Sequence, residues 1–185
     1  LEFSKISENL EFIQSKLGTF QIEVPSEERI GELAYSYYWD YNCEYAVITA
    51  FNEEAQFPIT YSEIRMLTEK LPHKWGVVCG ALTGAFFLFS ATLTLELSVQ
   101  AAKELIDFHN RTPLPIFKGK RFKDLPKVAV GSILCRDSIL NWSRKAGVPP
   151  RSLERAERCA AITADVAMKT VQLIKKYSSE PVEVR

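Results

Sequence analysis

The feature that most constrains this chain is an apolar run from Trp75 to Leu93. It approaches the length a bilayer requires, yet Cys79, Gly80, Thr83, Gly84, Ser90 and Thr92 interrupt it. Interrupted in this way, it reads as the buried central helix of a soluble domain rather than as a membrane span. A chain of 185 residues can bury such a helix in one hydrophobic core and is too short for two. Residues 1–185 are therefore expected to form a single helical domain.

The rest of the chain repeats the helical period. Ile6, Leu10, Ile13 and Leu17 predict a helix over 4–17, which Gly18 can end. Pro25-Ser26-Glu27-Glu28 reads as a helix start, a capping hydroxyl followed by acids in the positive first turn. That helix is expected to run on through Cys43 and to stop before Pro58. Thr60-Tyr61-Ser62-Glu63 fits a capping box, and its helix runs to Lys70 before Pro72. The apolar helix starts near Trp75 with Cys79 in its first turns, and Thr94 and Glu96 restart a helix through Phe108. Residues 110–127 hold three prolines and many basic residues, and read as a long surface loop with a functional or partner-wrapping use. A helix near 130–146 carries Cys135 and stops at Gly147; after Pro149-Pro150 a last long helix carries Cys159. No strand is signalled. The class is all-α, a bundle of about six to seven helices with one long Pro/Lys-rich loop.

Each of the four cysteines, Cys43, Cys79, Cys135 and Cys159, falls on a different predicted helix. Four thiolates from four helices can converge in a bundle core. An iron–sulfur cluster needs soft anionic ligands, commonly four, in a shielded pocket. Free cysteine is also among the most buried residue types, so the same four can be packing residues. Gly80 and Gly84, one turn apart beside Cys79, indicate close approach either of a cofactor or of a neighbouring helix. Arg136 follows Cys135 and Arg158 precedes Cys159. Both can stabilise an anionic cluster, or can simply be solvated. With no CxxC pair, a zinc ribbon, a thioredoxin motif and CxxCH haem attachment lack their signatures.

Several stretches bear a family resemblance. Cys79-Gly80-Ala81-Leu82-Thr83-Gly84-Ala85 resembles the signature of the redox-active family named for its C_GCAxxG_C_C cysteine pattern. The chain resembles the split-Soret cytochromes c more closely still. The matching stretches are Ala34-Tyr35 to Phe51, Trp75 to Leu82, Leu114-Pro115-Ile116-Phe117, Ser132 to Cys135, and Glu157-Arg158-Cys159 on to Thr163-Ala164-Asp165. The resemblance implies a helical homodimer holding an iron–sulfur cluster, with [2Fe–2S] favoured over [4Fe–4S]. It also implies Cys43, Cys79, Cys135 and Cys159 as ligands; Gly80, Gly84, Arg136 and Arg158, beside them in the sequence, are the candidates for the surrounding residues. One departure is large. The family attaches haem through CxxCH motifs, and none is present here, so no covalent haem is expected. The histidines, His73 and His109, read as surface or capping residues rather than axial ligands.

The expected function is an electron carrier or redox sensor. The alternatives are a thiol–disulfide protein with thiolates activated near Arg136 or Arg158, and a structural zinc site in an interaction module. No Gly-rich phosphate loop, HExxH or nucleophile elbow supports hydrolase or transferase chemistry. Charges balance at 23 of each sign, so nothing in the composition points to nucleic acid or an anionic membrane. Outward members of the Tyr35, Tyr37, Tyr38, Trp39 and Tyr41 group suit a dimer interface or the 110–127 loop. A monomer by light scattering would count against the dimer. The redox partner is unspecified. Exported relatives favour the periplasm, with the cytoplasm as the alternative. The chain starts at Leu1 rather than Met, which leaves room upstream for a signal peptide.

Overall fold

The computed structural model describes residues 11, 12, 24–70 and 78–178. The helix expected over 4–17, apart from Glu11 and Phe12, lies outside the described residues, as do the stop at Pro72, the start near Trp75, and His73. Seven helices are described: α1 Glu27–Asp40, α2 Cys43–Ala55, α3 Tyr61–Lys70, α4 Gly80–Thr92, α5 Leu95–Arg111, α6 Cys135–Ala146 and α7 Leu153–Ser178. Extended pairing among the described residues is limited to two isolated bridges, Val78 with Leu134 and Leu114 with Val128. The molecule is an all-α bundle.

Local chemistry sets most boundaries. Thr60 and Glu63 form the reciprocal capping box, with the Thr60 amide 2.9 Å from Glu63 Oε2 and the Glu63 amide 3.3 Å from Thr60 Oγ1. Thr94 accepts from the Leu97 amide to cap α5. Gly147 ends α6 at φ 70°, a conformation that suits glycine. Ser26 occupies the N-cap position of α1, but its hydroxyl makes no capping bond.

The starts of three cysteine-bearing helices need correction. The helix expected to run unbroken through Cys43 is two helices. Asn42 takes an extended conformation and accepts the Tyr45 amide on its side chain, so α2 begins at Cys43. Cys79 is the N-cap of α4 rather than a residue inside it. The helix expected from about 130 begins at Cys135.

The bundle is organised around α7, which packs against α1, α2, α4 and α5. Its small residues Ala160, Ala161, Ala164 and Ala167 are buried and let neighbours approach closely. The apolar α4 is buried between α2, α5 and α7 through Ala81, Leu82, Gly84, Ala85, Leu88 and Phe89. Gly84 answers to helix packing: a Cβ there would lie 2.9 Å from the Glu44 carbonyl and 3.2 Å from Val47 Cβ. No helix among the described residues is long and apolar enough to cross a membrane.

The basic loop begins later than expected, because α5 continues to Arg111. It is pinned to the bundle by two buried carboxylates of α7. Asp165 accepts the amides of Ile116 and Phe117 at 2.7 and 2.8 Å. Glu157 accepts the Arg121 amide at 2.9 Å and the Tyr35 hydroxyl at 2.8 Å. The Tyr35 oxygen in turn accepts the Lys120 amide at 2.9 Å. Gly119 is required here, since a Cβ would run into the Glu157 carboxylate. Beyond the loop, Trp142 of α6 packs on Val128 and Val130, and its indole donates to the Pro126 carbonyl at 2.7 Å.

Candidate functional site

The four cysteines, spread from residue 43 to residue 159, line one cavity of ≈ 480 Å³. All four are free thiols and all are half-buried. Each arrives on its own segment. Asn42 starts α2 so that Cys43 is its first residue. The Cys79 amide donates to the Ile133 carbonyl at 2.8 Å, and the neighbouring Val78–Leu134 bridge sets Cys79 beside the strand-like approach to Cys135. Cys159 lies in the second turn of α7.

Three of the cysteines therefore stand at the start of a helix. Helix N-termini present unpaired amides and the positive end of the helix dipole, an arrangement that favours negative charge. Two guanidinium groups add to it. Arg158 Nη1 lies 3.8 Å from Cys159 Sγ, and Arg155 Nη1 lies 4.0 Å from the same sulfur. Arg158 is 2 % exposed, donates to Ser138 Oγ at 2.8 Å, and stands over the Trp142 ring. Its Nε has no hydrogen-bond partner. Arg155 is held by the Pro150 carbonyl at 2.8 Å from its Nε.

One wall is aromatic and polar, Tyr38, Trp39, Tyr41 and Asn42 from the end of α1 and the turn after it, and Ile139, Ala156 and Ile162 add an apolar part. Trp39 packs edge-on against Tyr38, and the Arg121 guanidinium covers its ring at 3.9 Å.

Loss of solvent governs the protonation of the site. It pushes the Cys43 thiol well up, reinforced by the charges that Cys79, Cys135, Cys159 and Glu44 would carry. It raises Cys79, an effect that the amides of Ala81 and Leu82 and the charge of Arg158 partly offset. It raises Cys135 to about 12. Glu44, next to Cys43, is 2 % exposed and takes a hydrogen bond from Thr83; burial pushes its carboxyl up to about 7. Burial thus holds the Cys43, Cys79 and Cys135 thiols in their neutral form at neutral pH, and a soft cation is what would draw off their protons.

The residues expected around the cysteines divide. Arg158 lies in the cavity wall, whereas Arg136 is exposed and absent from it. Gly80 and Gly84 are buried but line α4's helix packing rather than the cavity. Arg155 and Asn42 are not among the residues expected at the site, and Tyr38, Trp39 and Tyr41, expected at an interface or the loop, line the cavity. Arg155 had a signal: it precedes Cys159 by four residues, one helical turn, and so shares its face. His109, expected as a surface or capping residue, is fully buried in α5, and burial pushes its pKa down. It does not line the cavity.

The chain is thus a thiol-rich helical protein, an all-α bundle that gathers four cysteines, two arginines and three helix starts at one cavity. The sequence model of the family described as "Putative redox-active protein (C_GCAxxG_C_C)" matches residues 41–173, and the chain belongs to that family. It is 30% identical to the split-Soret cytochrome c of Desulfovibrio desulfuricans over 160 residues, covering 77% of this chain and 56% of the relative. The chain thus spans little more than half the length of that curated protein. A solved structure described as "A novel iron centre in the split-Soret cytochrome c from Desulfovibrio desulfuricans ATCC 27774" superposes with a TM-score of 0.75 at 26% identity, covering 89% of this chain and 77% of that one. The family's pattern places its cysteine directly before Ala-x-x-Gly. Here Gly80 stands at that position and the cysteine is one residue earlier, at the cap of α4.

Proposed function

We propose that the chain is a one-electron redox protein whose Cys43, Cys79, Cys135 and Cys159 hold an iron–sulfur cluster, with [2Fe–2S] as the form and [4Fe–4S] as the alternative. The observation that carries this reading is the convergence of cysteines from four separate segments on one cavity. Membership of a redox-active family supports it, as does the iron centre of the related split-Soret cytochrome c. The donor set fits the group. Sulfur donors suit iron, and the surrounding amides and guanidinium groups offset the negative charge that a thiolate-ligated cluster carries. Such a group supplies reversible one-electron chemistry. The chain's own residues bind it, neutralise it and shield it from water.

The two other readings fit the pocket less well. A structural zinc ion needs its donors within about 2.0–2.3 Å of one point. Among the described residues no three His, Cys, Asp or Glu side chains come together closely enough to hold a metal ion. The ≈ 480 Å³ cavity has the span for a polyatomic group. Thiol–disulfide catalysis uses thiolates of depressed pKa, whereas burial drives the Cys43, Cys79 and Cys135 thiols upward.

The test is an anaerobic preparation examined by visible and EPR spectroscopy, with iron and sulfide counts. We expect absorbance bleached by dithionite and about two irons and two sulfides per chain, or about four of each for the larger cluster. Serine at any one of the four positions should cut iron retention at least about tenfold with the helical circular dichroism intact. A protein that stays iron-free after reconstitution, or one indifferent to all four substitutions, overturns the proposal.

A further inference from the structure

The net charge of zero conceals a separation along the chain. Between residues 112 and 155 there are ten Lys or Arg against three acids. The densest part is the loop pinned by Glu157 and Asp165. There Lys118, Lys120, Arg121, Lys123 and Lys127 stand against Asp124 alone, and all five cations are exposed. Lys120 pairs with Glu32 at 3.8 Å. Lys118, Lys123 and Lys127 make no ion pair among the described residues. Together with Phe117 and Phe122 they border a hollow of ≈ 290 Å³.

This rim is both ordered and close to the cysteine cavity. Buried side chains hold the loop's amides at residues 116, 117, 120 and 121, so its cations are displayed on a fixed frame. Arg121 covers Trp39, and Trp39 is part of the cavity wall. One indole therefore separates the cationic rim from the cavity.

We propose that this rim is the docking face for an acidic electron-carrier protein, an inference that rests on the redox reading of the cavity. Clustered charge of one sign steers an oppositely charged partner and fixes its orientation. The hollow is lined by Lys118, Lys123 and Lys127 against the single carboxylate of Asp124, a net positive surround for a partner's carboxylate. Docking there puts the partner against the Trp39 side of the cavity. One electron then passes between the two centres, one being oxidised as the other is reduced, with no bond made and no proton moved. The cations are clustered on one loop beside the Trp39 wall of the cavity rather than running along a helix, which favours a compact acidic protein over a nucleic acid.

The probe is a plant-type [2Fe–2S] ferredoxin of acidic charge, titrated calorimetrically against the iron-loaded protein. At about 20 mM salt, where screening is weak, we expect binding that falls at least about tenfold in about 0.5 M salt. The triple variant Lys118→Glu/Lys123→Glu/Lys127→Glu should lose binding by at least the same factor. These side chains are exposed, so its circular dichroism and visible spectrum should match the parent's. Equal affinity in parent and variant overturns the proposal. So does a DNA duplex that binds more tightly than the ferredoxin with the same lysine dependence. Iron content is read on the same samples. A loaded protein that ignores the ferredoxin overturns the docking face alone, whereas an iron-free protein that still binds it overturns the reading of the cavity alone.

Discussion

Arg158 is the residue on which the cavity's electrostatics turn. It is buried, one of its nitrogens has no partner, and it lies 3.8 Å from the Cys159 sulfur while making no ion pair with a carboxylate among the described residues. A buried cation without a counter-charge is costly, and removing it can be neutral or favourable. On the proposed cluster reading, the consequence has opposite sign in the metal-free and iron-loaded forms. In the metal-free form Arg158→Met should leave the urea midpoint unchanged or raise it. In the iron-loaded form it should speed the loss of visible absorbance in the presence of a chelator, by about tenfold, as expected for a neighbour that supports a ligand. A variant that weakens both forms equally would show Arg158 to be a packing residue. The contrast with Arg136 explains what sequence adjacency can and cannot say. Both arginines neighbour a cysteine in the chain, but Arg136 follows the first residue of a helix and is exposed, while Arg158 lies on the inner side of α7. Chain neighbours on a helix point a quarter-turn apart, so adjacency alone does not settle contact. The one-turn spacing of Arg155 and Cys159 is the more informative pattern.

At the scale of elements, apolar periodicity made the helices legible and left their starts uncertain. The continuity of Leu33, Tyr37, Tyr38, Ala46 and Val47 hides the break at Tyr41–Asn42, because an asparagine can sit within a helix or cap one, and only its partner amide distinguishes the two. The loop was legible by its prolines and lysines, yet the groups that hold it were not, since Glu157 and Asp165 lie in α7, more than thirty residues downstream. Asp165 makes the loop's attachment sensitive to pH. Burial raises its pKa from 3.8 to about 6, against the pull of the Ile116 and Phe117 amides. A raised carboxyl pKa means the folded protein holds that proton more tightly than the unfolded chain. The stabilisation is full below about pH 3.8 and is lost as pH rises through about 6, a change of up to about 3 kcal/mol. Urea unfolding of wild type and Asp165→Asn across pH 4–7 should show the variant gaining on wild type as pH rises. Parallel stability curves would exclude Asp165 as the titrating group.

For the whole molecule, the cavity is where distant parts of the chain meet: the turn after α1, the starts of α2, α4 and α6, and the second turn of α7. A group bound by sulfurs from all four segments stabilises the folded state as any native-state ligand does. Its removal should lower Tm by roughly 10 °C or more, since at this chain length each kcal/mol corresponds to about 2–4 °C. Calorimetry of loaded and chelator-treated protein measures the difference, and equal melting temperatures would mean that the cysteines carry no stabilising occupant. The same topology accounts for the pattern by which the family is described. Three of the four sulfurs are placed by where a helix begins, and the length of each helix beyond that point does not move them. Insertions and deletions at the far ends of α2, α4 and α6 can therefore accumulate during descent without disturbing the sulfurs. The cysteines of related chains can drift apart in numbering yet keep their places in space, and a signature with fixed spacing around one cysteine and open gaps between the others is what such a fold would leave behind.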